Sequence, residues 1–161
     1  MKLICFALIF SLFLSLSLSA QDGSENKAPS VVLRDLNGKT VRLSDFKGKV
    51  VLLNFWAVWC SPCAAEVREL VKWQTQYKTT GLQVVGITYP PTNAAAVRRF
   101  VRRMKVNYPI LYGSESTKKL FEQTETLPVT VIIDRKGRIV ERIDGVIFPD
   151  EFDAKIKPIL K

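Results

Sequence analysis

Cys60 and Cys63 stand three residues apart in "NFWAVWCSPCAAE", directly after an apolar run and at the start of a helical pattern. Two thiols at that spacing can clip a metal, staple the chain or alternate between dithiol and disulfide. Structural zinc takes four cysteine or histidine ligands, and the chain has three cysteines and no histidine. Two thiolates suit Cu(I), but no histidine is available to complete such a site. A purely structural bridge would close a very short loop and stabilise less than a long one. The redox reading has a mechanism of its own. A strand ending at Trp59 delivers Cys60 to a helix N-terminus, whose free amides and partial positive charge favour a thiolate. Cys60 would attack and Cys63, one turn on, would resolve. Pro62 suits the first helical turn, where its missing donor has no partner to lose.

Three further residues bear on this chemistry. Glu66 lies three positions beyond Cys63, on a neighbouring helical face, and is either a proton acceptor for the thiols or a solvated helix glutamate. Trp56 reads as core and Trp59 as a cover for the sulfur. The basic stretch "VRRFVRRMK" places Arg98, Arg99, Arg102, Arg103 and Lys105 off the apolar stripe of its helix, as a solvated face or a docking face for acidic partners or anionic lipid.

The elements that must hold the pair follow from apolar pattern and turn residues. "VVLLNFW" (50–56) and "LQVVGITY" (82–89) are nearly continuous in apolar residues, as strands covered on both faces are. A helix lies between them, with Val67, Leu70, Val71, Trp73 and Tyr77 inward and Gly81 at its close. Asn93 caps a second helix with Val97, Phe100, Val101 and Met104 inward. "SVVLRDLNGKTVRLSDFKGK" forms a hairpin around Asn37-Gly38, "YPILY" a short extended piece, "SESTKKLFEQT" a short helix. "PVTVIIDRKGRIVERIDG" forms two strands about a turn at 134–137, and a last helix runs from about Asp150 to Ile159.

Residues 1–20, "MKLICFALIFSLFLSLSLSA", carry one charge, Lys2, then an apolar and serine run with small residues at Ser17, Ser19 and Ala20. This is a signal-peptide pattern, or an N-terminal anchor if uncleaved. Residues 21–29 read as a flexible linker and 30–161 as one domain. Cys5 leaves with the signal, so Cys60 and Cys63 are the mature thiols, in a compartment where disulfides persist. The net charge of +9 suits acidic partners or an anionic surface without showing either.

The segments "LRDLNGKTVRLSDFKGKVVLLNFWAVWCSPC", "FVRRMKVNYPILY" and "LPVTVIIDRKGRIVERIDG" resemble the thioredoxin superfamily, specifically its exported thiol:disulfide oxidoreductases of the TlpA/ResA type. The resemblance implies an α/β thioredoxin-like fold: a central mixed sheet flanked by helices, with an N-terminal β-hairpin extension. It implies a nucleophilic Cys60, a resolving Cys63, and a cis bond between Leu127 and Pro128 that faces them and pairs with an extended substrate. Trp59, Ser61, Pro62, Leu127 and Pro128 are then the substrate-binding surface. Asn54 stands where thioredoxins keep a buried aspartate and cannot take up a proton; the resemblance gives that work to Glu66. The expected activity is an extracytoplasmic or periplasmic thiol:disulfide oxidoreductase, reducing protein disulfides as in cytochrome c maturation or metal-site assembly. Its expected cofactor is none beyond the redox-active disulfide, with no metal. Disulfide-containing clients and a membrane-bound thiol electron donor are the expected partners, the chain being a monomer without nucleic acid and touching a membrane only through an uncleaved N-terminus. A thiol peroxidase, or a non-catalytic module binding copper or a partner, are the alternatives. The peroxidatic cysteine of the former normally follows a threonine, which "FWAVWC" lacks.

Overall fold

The computed structural model describes residues 26–89, 93–121 and 126–161. The signal segment with Cys5, most of the linker, and the end of the short helix at 122–124 lie outside the described residues.

Seven strands form one mixed sheet in the order β2-β1-β5-β4-β3-β6-β7. The N-terminal hairpin is β1 (Val32–Asp35) and β2 (Thr40–Arg42), and its turn closes on Gly38, whose positive φ of 80° favours a residue without a Cβ. A 3₁₀ turn, Leu43–Phe46, leads to β3 (Val50–Trp56), in which every residue is buried. Its neighbours are β4 (Leu82–Thr88), parallel, and β6 (Val129–Ile133), antiparallel. β5 (Ile110–Tyr112) joins β4 in parallel and β1 antiparallel; β7 (Ile139–Asp144) closes the other edge.

Two successive crossovers step along the sheet in the same direction, through α1 (Ser61–Tyr77) from β3 to β4 and through α2 (Ala94–Arg103) from β4 to β5. Right-handed connections stepping one way place both helices on one face. Leu52 and Trp56 accordingly share a core with Val67 and Leu70 of α1 and Val97 and Phe100 of α2. The chain returns to β6 through α3 (Glu115–Leu120), and Phe121 packs on the opposite face against Val51, Leu53 and Phe55. Asn93 caps α2 by accepting the Ala95 N–H.

Two expectations need correction. β3 ends at Trp56, not Trp59, because Ala57–Cys60 is a tight turn closed by the Cys60 N–H on the Ala57 carbonyl at 3.1 Å. The last helix is not continuous: α4 (Pro149–Glu151) gives way to a π-turn, Phe152–Ile156, and then a 3₁₀ turn, Lys157–Leu160. Pro158 supplies no N–H for a regular last turn. The change of pitch keeps Phe152, Ile156 and Leu160 buried, with Phe152 stacked on Trp73 at 4.1 Å between ring centroids.

Candidate active site

The site grows from the C-terminal end of β3. After the turn, Cys60 adopts extended backbone (φ −83°, ψ 106°) as the N-cap of α1, and its Sγ accepts the Cys63 N–H at 3.2 Å. Pro62 occupies the first turn as expected. Cys60 and Cys63 are joined by a disulfide, S–S 2.07 Å. Cys60 is 5% exposed and Cys63 fully buried, so the two sulfurs are inequivalent to an incoming partner. Ser61 and Pro62 are exposed beside them, and Trp59 is 72% exposed, an unusual position for a large aromatic side chain.

Glu66 lies one turn beyond Cys63 and is fully buried, so it is not a solvated helix glutamate. Its two oxygens have separate donors. Oε2 accepts from Asn54 Nδ2 at 2.7 Å and Oε1 from the Ile147 backbone N–H at 2.9 Å. Asn54 Nδ2 also donates to Thr130 Oγ1 at 2.9 Å, directly across the β3–β6 pairing. Burial raises the Glu66 pKa from 4.5 to about 7, against the lowering effect of the Ile147 and Asn54 hydrogen bonds. At neutral pH this carboxyl is poised between its two forms. Burial, with the Glu66 charge second, also pushes the Tyr108 hydroxyl up.

Asn54 suits both forms of that carboxyl. Its amide now gives both N–H contacts to Glu66 and Thr130, while the buried Oδ1 has no partner. Rotating the amide by half a turn would aim Oδ1 at a protonated Glu66, with the Thr130 hydroxyl able to switch between accepting and donating.

The Leu127-Pro128 bond is cis, as the resemblance implied. Pro128 is buried and Leu127 half-buried; the Pro128 carbonyl accepts the Gly145 N–H at 2.9 Å. Because Val129 pairs with Phe55, Pro128 lies level with the end of β3, at the pole of the sheet that carries the cysteines. The structure thus joins Cys60 to Cys63, sets Glu66 beneath them, and leaves Trp59, Ser61 and Pro62 outside. Thr130 and the Ile147 N–H were missed in the sequence. The one signal for Thr130 is a polar residue inside the buried run "PVTVII"; Ile147 carries none, since only its backbone is used.

A model of the Redoxin family matches residues 23–155. The thiol-disulfide oxidoreductase ResA of Bacillus thuringiensis subsp. konkukian (strain 97-27) is 33% identical over 135 residues, spanning 83% of this chain and 76% of the relative. ResA of Bacillus subtilis (strain 168) is 33% identical over 129 residues, spanning 80% and 70%. The crystal structure of a thiol:disulfide interchange protein of the thioredoxin family from Chlorobium tepidum TLS superimposes with a TM-score of 0.78 at 26% identity, over 87% of this chain and 99% of that one. With a C-x-x-C disulfide at the N-terminus of α1, a cis-proline at the same pole and these relatives, the chain belongs to the redoxin family, in the TlpA/ResA branch of the thioredoxin superfamily, as a thioredoxin-like thiol:disulfide oxidoreductase.

Proposed function

We propose that the protein reduces disulfides of client proteins outside the cytoplasm, with Cys60 as nucleophile, Cys63 as resolving thiol and Glu66 as the proton partner of Cys63. The Cys60 thiolate attacks a client disulfide; one client sulfur joins Cys60 and the other leaves as a thiolate that takes a proton. Glu66 then accepts the Cys63 proton as Cys63 attacks Cys60 Sγ. The client sulfur released from Cys60 takes a proton in turn, so the client departs as a dithiol and the Cys60–Cys63 disulfide is restored. A membrane-bound thiol donor returns two electrons and two protons for the next cycle.

The observation that carries this reading is the fully buried Glu66 one turn beyond the inner cysteine, held through both oxygens and poised near neutral pH. A buried carboxyl poised in this way, set next to a thiol, is how a protein can move a proton without solvent. The extracytoplasmic setting is supported by the signal pattern of residues 1–20, and the substrate surface by exposed Trp59, Ser61 and Pro62 beside Leu127-Pro128. Cytochrome c maturation and metal-site assembly are the client classes this chemistry would serve. For the direction, the residues between the cysteines are Ser61 and Pro62, with no cationic side chain to stabilise the reduced thiolate. The potential is therefore expected nearer roughly −270 mV than −120 mV, measured by equilibration with dithiothreitol or glutathione.

Trapping tests the assignment. In a Cys63→Ser variant, clients should accumulate as mixed disulfides mapped by mass to the Cys60 peptide, and Cys60→Ser should trap none. Client adducts on Cys63 would reverse the two roles.

A further inference from the structure

The end of the sheet remote from the disulfide holds a cavity of about 590 Å³ between the segment at 27–30, the turn at 43–49 and the β6–β7 turn. Its walls combine two chemistries. Phe46, Val51 and Ile133 form an apolar floor, and Lys27, Lys47, Lys49 and Lys136 stand around it. Among the described residues none of these lysines has an ion pair; Lys49 has only a long contact to Gln83 Oε1 at 3.4 Å. Asp134, the one acid in the walls, is already engaged by Arg138 and by the backbone N–H of Lys136. The cavity therefore presents uncompensated positive charge over an apolar surface.

We infer that this cavity receives the phosphate headgroup of an anionic phospholipid, seating the lysine pole of the domain on a membrane surface. Free phosphate would match the lysines but leave the floor unused, whereas a phosphate carrying glycerol and acyl carbons matches both. Clusters of basic residues close to a membrane segment are attracted to anionic lipid in this way. With the N-terminal run kept as an anchor, the chain brings the cavity there: the apolar run ends at Leu18, and residues 19–26 can extend no more than about 29 Å before Lys27. Val51 and Trp56 lie five strand positions apart, about 16 Å, so a headgroup in the cavity is remote from Cys60 and leaves the cysteine pole turned to the aqueous side.

Lysine acetylation of the full chain, reconstituted into vesicles and read by mass, tests this directly. Phosphatidylglycerol mixed into phosphatidylcholine should slow acetylation of Lys27, Lys47, Lys49 and Lys136 by at least about threefold relative to phosphatidylcholine alone. Lys72 on α1 and Lys119 on α3 should be unaffected. A Lys47→Gln/Lys136→Gln variant should lose the protection at Lys27 and Lys49 while reducing disulfides as before. Equal rates in the two vesicle types would overturn the inference. Equal protection from inorganic phosphate with neutral vesicles would make the cavity a phosphate site and overturn the lipid assignment. Slowing spread over Lys72 and Lys119 as well would reduce it to diffuse attraction of a basic protein, again overturning it.

Discussion

β3 presents two faces to two cores of different character. Val51, Leu53 and Phe55 point into a layer of aliphatic and aromatic side chains, where Phe55 stacks with Tyr89 and meets Phe121 at 5.5 Å between centroids. Leu52, Asn54 and Trp56 point into the layer that also contains Cys63 and Glu66. On that second face lie Asn54 Oδ1, Trp56 Nε1 and the Tyr108 and Tyr112 hydroxyls, all buried without a hydrogen-bond partner. Unpaired buried polar groups cost stability. The first face packs apolar side chains against the sheet, and the second carries these unpaired polar groups together with a titratable carboxyl and a disulfide.

The largest effect should come from damage to the apolar face. Phe55→Ala should destabilise by about 3–5 kcal/mol in chemical denaturation, equally at pH 5 and pH 8, because burial pushes the Tyr89 hydroxyl stacked on it up, well above that range. Glu66→Gln should behave in the opposite way. A carboxyl whose pKa is raised on folding, from 4.5 to about 7, binds more protons in the folded than in the unfolded state. Folding stability is therefore full below the unfolded value, falls as pH rises from about 4.5 to 7, and is lower by roughly 3 kcal/mol above that. Glutamine mimics the protonated acid, so the oxidised variant should match the parent at pH 4 and exceed it at pH 8; a gain independent of pH would deny the titration. Thr130→Val removes the acceptor of the second Asn54 N–H and should cost about 1 kcal/mol. Trp59→Ala should change stability by less than about 0.5 kcal/mol, since the ring is exposed, yet should weaken client reduction. A Trp59 variant with unimpaired client turnover would remove that ring from the substrate surface.

The two faces were not equally legible in the sequence. The apolar one is written in alternation and continuous hydrophobic runs, so β3, β4, β6 and the packing of α1 and α2 could be read directly. The cysteines were equally plain, because their spacing before a helix names its own chemistry. Glu66 could be located but not placed indoors: its partners come from Asn54, twelve residues away, and Ile147, eighty-one away, the latter through a backbone N–H that any residue supplies. The change of pitch at Phe152–Ile156 was also hidden, since it depends on how the chain turns and not on which residues are apolar.

The central claim is that the polar face exists to move a proton with Cys63, and the rate at which the mixed disulfide resolves tests it most directly. A model client disulfide is mixed with the reduced protein, and single-turnover release is followed from pH 5 to pH 9 for the parent and Glu66→Gln. Loss of a positioned proton acceptor should slow release at pH 7 by about 100-fold or more and abolish the rise of rate near that pH, while attack by Cys60 is little changed. Superimposable release profiles would contradict the account, leaving Glu66 as a buried group that the exchange reaction does not use.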